Sequence, residues 1–208
     1  MEYGLYVVTD EQLSKGLSHP EIARRAIAGG ADVIQLRDKT CDCAYLYRCA
    51  GEIRDVARAA GVPLIINDRL DVAMQIGADG VHLGQGDMPL KFARRVAPQG
   101  FVIGVSAGTL EEALEAERGG ADYVGLGPIF PTQSKIDARE ACGLGLLREV
   151  RSRVAIPIVA IGGINTGNAA EAIAAGADGI AVISAVVSQD DVAGAARRLK
   201  EIVRAGRR

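Results

Sequence analysis

This chain of 208 residues contains no tryptophan, and aromatic residues make up only 4% of it. That scarcity removes the stacking platforms on which single-stranded nucleic acid is held. Neither sign of charge dominates: 24 Lys and Arg stand against 26 Asp and Glu, for a net charge of -2. There is no bulk basic field to draw a polyanion, so no nucleic-acid partner is expected, and any anion site must be a local cluster. No apolar run approaches the roughly 18 residues of a membrane span. The longest candidate, Val154 to Ile164, is broken by Pro157 and a glycine pair. The opening residues, Met-Glu-Tyr-Gly-Leu-Tyr, lack the basic and apolar regions of a cleavable leader, so the expected address is the cytoplasm, away from membranes. The four cysteines, Cys41, Cys43, Cys49 and Cys142, form no pair of separated Cys-x-x-Cys motifs and have no histidine at zinc spacing. Reduced structural thiols are expected there.

What the chain does have is a repeat. Gly-Ala-Asp occurs at Gly30, Gly77, Gly120 and Gly176, each time before an apolar run, with copies 47, 43 and 56 residues apart. That spacing suits two helix–strand units rather than one. A glycine that ends a helix, a small residue in the turn and then a buried strand is how a helix re-enters a parallel sheet. Four double units make eight strands and eight helices, which predicts a single-domain α/β (β/α)8 TIM barrel over residues 1–208. The length is short for that fold, which typically has about 250 residues. Apolar residues at 49% are ample for its core.

The strands are expected at Leu5–Thr9, Val33–Arg37, Leu64–Asn67, Val81–Leu83, Val102–Val105, Tyr123–Leu126, Ile158–Ile161 and Ile180–Ile183, with Ala-rich helical segments between them. The last helix is the clearest, with Val192, Ala195, Ala196, Leu199, Ile202 and Val203 on one face and charges on the other. One connection is long, roughly Pro131 to Gly143, and poor in apolar residues. In a compact barrel such a loop usually closes over or binds a ligand.

In a TIM barrel the chemistry sits at the C-terminal strand ends. Strand alternation puts Gln35, Arg37 and Lys39 on one face. Two inward cations need an anion, which is either an external ligand or carboxylates such as Asp68 or Asp87. Asp68 and Asp87 follow neighbouring strands and are suited to holding one hard cation through oxygen; the alternatives are a helix cap for Asp68 and an Asx-turn for Asp87. His82 is expected to line the pocket without a proton-transfer role, and His19, beside Pro20 at a helix start, is expected at the surface. Ser106 offers a hydroxyl at the mouth, with no His and Asp arranged around it as a nucleophile triad. The run Gly125 to Lys135 brings glycines, the hydroxyls of Thr132 and Ser134, and the charge of Lys135. Gly162-Gly163 and Ile183-Ser184 follow the last two strands, where such barrels often hold a phosphate monoester; a tight turn without a ligand is the alternative. Two anion sites around one mouth, with no general base between them, point to joining two phosphorylated molecules with loss of diphosphate.

These residues resemble the thiamin phosphate synthase family, also called thiamin-phosphate pyrophosphorylases. The resemblance is carried by Gln35-Leu-Arg-Asp-Lys39, Ile66-Asn-Asp68, Gly80-Val-His-Leu-Gly-Gln-Gly-Asp87, Gly104-Val-Ser106, Gly125 to Lys135, Ala160-Ile-Gly-Gly-Ile164 and Gly179 to Ser184. It implies coupling of a hydroxymethyl-aminopyrimidine diphosphate to a hydroxyethyl-thiazole phosphate, or its carboxylate, giving thiamin phosphate and diphosphate with Mg²⁺ as cofactor. By the same resemblance Gln35, Leu36, Arg37, Asp38, Lys39, Asn67, Ser106 and Lys135 contact the pyrimidine diphosphate, and Arg37, Lys39, Ser106 and Lys135 act on the departing group. Asp68 and Asp87 hold the metal. Thr132, Gln133, Ser134, Gly163, Ile183 and Ser184 contact the thiazole phosphate. The chain departs from the family pattern at Gly108, where a polar residue is frequent, and at Ser134, where threonine is common. The Cys41/Cys43 segment matches nothing in it.

Three rivals are weighed against this reading. A thiazole tautomerase on the same barrel lacks an intact diphosphate site, whereas this chain keeps Arg37, Lys39, Asn67, Asp68, Asp87 and Lys135. A non-catalytic phosphate-ligand sensor binds without turnover. A sugar-phosphate epimerase needs a central acid and base, and no such pair is assembled. The partners expected are small molecules, with a homo-oligomer left open.

Overall fold

Each Gly-Ala-Asp copy closes one helix and opens the next strand. In the computed structural model, which describes residues 1–134 and 140–207, the four glycines of the repeat have φ values of +94°, +66°, +84° and +106°. Only a residue without Cβ takes that left-handed turn freely. The aspartate that follows clamps two strands together. The N–H of Asp32 donates to the Leu5 carbonyl at 2.8 Å, and its carboxylate accepts the Leu5 N–H at 2.7 Å. Asp79 does the same with Leu64, Asp122 with Ile103 and Asp178 with Ile158. Strand N–H groups that would otherwise lack an acceptor at the barrel's edge are satisfied by side chains.

The strands are β1 (Leu5–Val8), β2 (Val33–Leu36), β3 (Leu64–Asn67), β4 (Gly80–Leu83), β5 (Val102–Ala107), β6 (Tyr123–Leu126), β7 (Ile158–Ile161) and β8 (Gly179–Val182). All pair in parallel in chain order, and β8 returns to β1 to close the barrel. β1, β2, β6 and β8 are buried at every position, as a sheet covered on both faces requires. The main difference from the expected boundaries is β5. It runs two residues further because Ser106 and Ala107 pair with Gly125 and Leu126. Ser106 is therefore held within a strand rather than beyond its end.

The surrounding helices are α1 (His19–Ala28), α2 (Cys43–Ala60), α3 (Leu70–Ile76), α4 (Leu90–Val96), α5 (Leu110–Arg118), α6 (Gly143–Arg153), α7 (Ala169–Ala174), α8 (Ser184–Val187) and α9 (Val192–Gly206). The expected eight become nine among the described residues, because the short α8 is inserted directly after β8. α9 buries Val192, Ala195, Ala196, Leu199 and Val203, the predicted apolar face. All four cysteines are free thiols. No helix among the described residues is long and apolar enough to cross a membrane.

His19 is not at the surface. Ser18 caps α1 by accepting the Glu21 N–H, which turns His19 inward to 1% exposure. Its Nδ1 lies 2.7 Å from the Thr9 hydroxyl and its Nε2 3.2 Å from Asp38. A residue before a proline at a helix start looked solvent-facing in one dimension. In the fold that turn packs over the end of β1.

Candidate active site

At the C-terminal end of the barrel, loops β6–α6, β7–α7 and β8–α8 surround a cavity of about 1110 Å³. Thr132, Gln133, Ser134, Gly163, Ile183 and Ser184 all line it, as does Ser106. The Ser134 and Ser184 hydroxyls are 2.9 Å apart, which ties the long loop to the start of α8. The Ser134 N–H donates to the Thr132 hydroxyl at 3.2 Å. This side offers hydroxyls, an amide and main-chain N–H groups. Lys135 lies outside the described residues.

The charged residues stand on the adjoining rim, formed by β2, β3 and β4. Lys39 Nζ is 3.8 Å from Asp68, and Arg37 donates to Asp10 at 3.3 Å. The carboxylate alternative weighed for these cations therefore holds in this state, with Asp10 as the partner of Arg37. The Arg37 side chain is only 10% exposed, so the guanidinium is fixed rather than waving in solvent. Asp68 follows β3 in the left-handed region, at φ +61°, a conformation uncommon for a residue with Cβ and found preferentially at working sites. It does not cap α3: the position before that helix is Arg69, and no side-chain cap bond forms there. Burial lifts the Asp68 carboxyl to about 6, helped by a hydrogen bond to Asp87 and by that residue's charge, against the pull of Lys39 and Arg37. Asp87 also accepts the Gly84 N–H at 2.6 Å, which orders the turn after β4.

Leu36 and Asp38 alternate away from this face. Leu36 is 1% exposed, and the Asp38 carboxylate accepts from Thr40 N–H and hydroxyl, from Cys41 N–H and from the His19 ring. Burial opposes ionisation of Asp38, but those donors outweigh it and hold the carboxyl down at about 2. Any ligand contact from Leu36 or Asp38 is left to the main chain. Asn67, the last residue of β3, pairs in register with His82.

Sequence reasoning missed two tyrosines. Beneath the cavity, Gln35 donates to the Tyr6 hydroxyl at 2.7 Å, and the Tyr6 and Tyr123 hydroxyls are 2.8 Å apart. Tyr123 lies 2.9 Å from Nδ1 of His82, whose Nε2 is 2.8 Å from the Ser106 hydroxyl. Burial holds both phenols well above their usual range, so they stay protonated. Gly104 and Gly125 make room for this chain. A Cβ at Gly104 would run into the Tyr123 ring, and one at Gly125 would sit 2.8 Å from His82 Cε1. Tyr6 and Tyr123 stand inside apolar runs and read as core. The signal in the sequence was a pair of glycines within strands, Gly104 against Tyr123 and Gly125 against His82.

Comparison with known proteins settles the family. Residues 5–186 match the family model described as thiamine monophosphate synthase. The chain belongs to the thiamine-phosphate synthase family. It is 73% identical over 203 residues to the thiamine-phosphate synthase of Methanocella arvoryzae, covering 98% of this chain and 96% of that one. With the thiamine-phosphate synthase of Methanospirillum hungatei the identity is 56% over 203 residues, covering 98% of each. Among solved structures, the thiamine phosphate pyrophosphorylase of Pyrococcus furiosus superposes with a TM-score of 0.92 at 45% identity, covering 99% of this chain and 97% of that one. Thiamine-phosphate synthases are enzymes of thiamine biosynthesis, and the barrel described above is the fold they share.

Proposed function

We propose that the mouth works as two adjoining half-sites that join a pyrimidine diphosphate to a thiazole phosphate. The observation that carries this is the gathering of Arg37, Lys39, Asp68 and Asp87 on one rim, beside a cavity lined by hydroxyls and main-chain groups, with Glu112 at its edge. The cations and Asn67 take the diphosphate. Thr132, Gln133, Ser134, Gly163, Ile183 and Ser184 take the thiazole phosphate.

The residues present fit Mg²⁺. Two carboxylates sharing a hydrogen bond, one with its proton affinity raised, are a pair that a hard divalent cation relieves. Asp68 and Asp87 would hold it, and when bound it supplies positive charge to the leaving diphosphate oxygens. Arg37 and Lys39 exchange their carboxylate partners for that diphosphate and stabilise the charge gathering on it. Lys135, outside the described residues, is assigned the same role. The aminopyrimidine spreads the positive charge left on its methylene carbon, and the thiazole nitrogen, held alongside by the hydroxyl-rich half-site, captures it. Water would trap the same carbon, so the loop carrying Thr132 to Ser134 serves to exclude it. A soluble enzyme acting on two small molecules is the setting this reading requires.

The test is incubation with both substrates and Mg²⁺. Thiamin phosphate and diphosphate should appear in equal amounts. Rearrangement of the thiazole phosphate alone, with no thiamin phosphate, would replace the proposal with a tautomerase.

A further inference from the structure

The hydrogen-bonded row from Gln35 to Ser106 has a direction. Each phenol owns one proton. The Gln35 amide N–H occupies the Tyr6 oxygen as acceptor, which leaves the Tyr6 proton for Tyr123. Tyr123 then gives its own proton to Nδ1 of His82. A neutral imidazole that accepts at Nδ1 carries its hydrogen at Nε2, so His82 donates to the Ser106 oxygen. Among the described residues, the Ser106 hydroxyl has no hydrogen-bond partner but His82, so its proton is not used inside the barrel.

We propose that Gln35, Tyr6, Tyr123 and His82 form a positioning relay that sets Ser106 as a hydrogen-bond donor toward the mouth. Ser106 borders both the large cavity and a void of about 20 Å³ beneath it, and the void is lined by all five members of the row. The relay thus ends where a reacting group would arrive. Were the amide reversed, every bond would invert. Ser106 would donate to His82 and present only lone pairs to an incoming phosphate oxygen or ring nitrogen, and that group would be repelled. Four consecutive short bonds transmit this polarity, and buried networks of this kind have few alternative arrangements. This inference rests on the functional reading above, since it assigns Ser106 its role within that site.

Two measurements test it. The chain has two histidines, so nitrogen-15 NMR of the unaltered protein, with a His19→Gln variant to assign the signals, reads the His82 tautomer without any substrate. The relay predicts hydrogen on Nε2; hydrogen on Nδ1 would overturn it. The second is a double-mutant cycle on turnover at saturating substrates. Tyr123→Phe should lower kcat about tenfold in the parent and by less than about twofold in a Ser106→Ala background, with KM for the thiazole phosphate unchanged. Independent, multiplying losses would mean that Tyr123 is merely a packing residue and would refute the relay. Should the unaltered protein make no thiamin phosphate, the functional reading fails, while the tautomer still judges the relay by itself.

Discussion

At the N-terminal end of the barrel, the carboxylates of Asp32, Asp79, Asp122 and Asp178 are each occupied by a strand N–H, and Lys200, Arg94 and Arg151 neutralise three of them. At the C-terminal end, Asp68 and Asp87 press against each other, and Lys39 reaches Asp68 only at 3.8 Å. The two ends use the same residue types. One end spends its carboxylates on the fold. The other leaves them crowded, which costs stability and suits them to the cation proposed above. A repeated triplet builds the first end four times over. The second occurs once and follows no repeat, as a site for an asymmetric ligand must.

Substitutions at the two ends should therefore separate activity from stability. The largest effect is expected from Asp68→Asn. Asparagine tolerates the left-handed backbone at this position, so the change removes charge without adding strain. Turnover should fall about a hundredfold, while the melting temperature of the metal-free protein stays the same or rises as the crowding with Asp87 is relieved. Steady-state rates across a Mg²⁺ titration, with thermal melts alongside, check both halves. A comparable fall in stability would erase the contrast between the two ends.

Asp32→Ala should do the reverse. It strips the Leu5 N–H of its acceptor and leaves Lys200, only 19% exposed, with only Glu2 at 4.0 Å as a carboxylate partner. A loss of about 2–3 kcal/mol follows, read from urea unfolding, with kcat per folded molecule within about twofold of the parent. A kinetic defect without loss of stability would contradict the assignment of this end to the fold.

A smaller, pH-dependent effect is expected beneath the charged rim. The Asp38 carboxyl is held at about 2 in the native state, below its ordinary 3.8. The unfolded chain therefore takes up the proton first, and the stabilisation is complete above pH about 4 and lost as pH falls through about 2. The stability difference between the parent and Asp38→Asn should shrink over that range in urea melts. A difference that stays constant from pH 7 to 2.5 would show that ionisation of Asp38 is not what steadies the loop.

The legible parts of this molecule are those governed by local rules. The Gly-Ala-Asp turns marked the even strands because a left-handed glycine and a buried run are both visible in one dimension. Strand alternation placed Gln35, Arg37 and Lys39 on a common face for the same reason. What stayed hidden depends on residues distant in the chain. Tyr6 and Tyr123 are 117 positions apart, and each sits in an apolar run that reads as core. Asp10 gave no sign of meeting Arg37, because the contact exists only once β1 and β2 lie side by side. His19 looked exposed because nothing local announces that α1 begins over Thr9 and Asp38. The aspartates of the repeat had no role of their own in one dimension, and their clamp on the preceding strand appears only when the barrel closes.

The proposed division of the mouth into a metal-dependent charged half and a half of hydroxyls and main-chain groups is tested most directly by calorimetry on the Asp68→Asn variant. Two titrations are needed: inorganic pyrophosphate in the presence of Mg²⁺, and thiazole phosphate. Pyrophosphate binding should be lost while the thiazole phosphate dissociation constant stays within about twofold of the parent. Loss of both ligands together, or pyrophosphate bound as tightly as before, would contradict it.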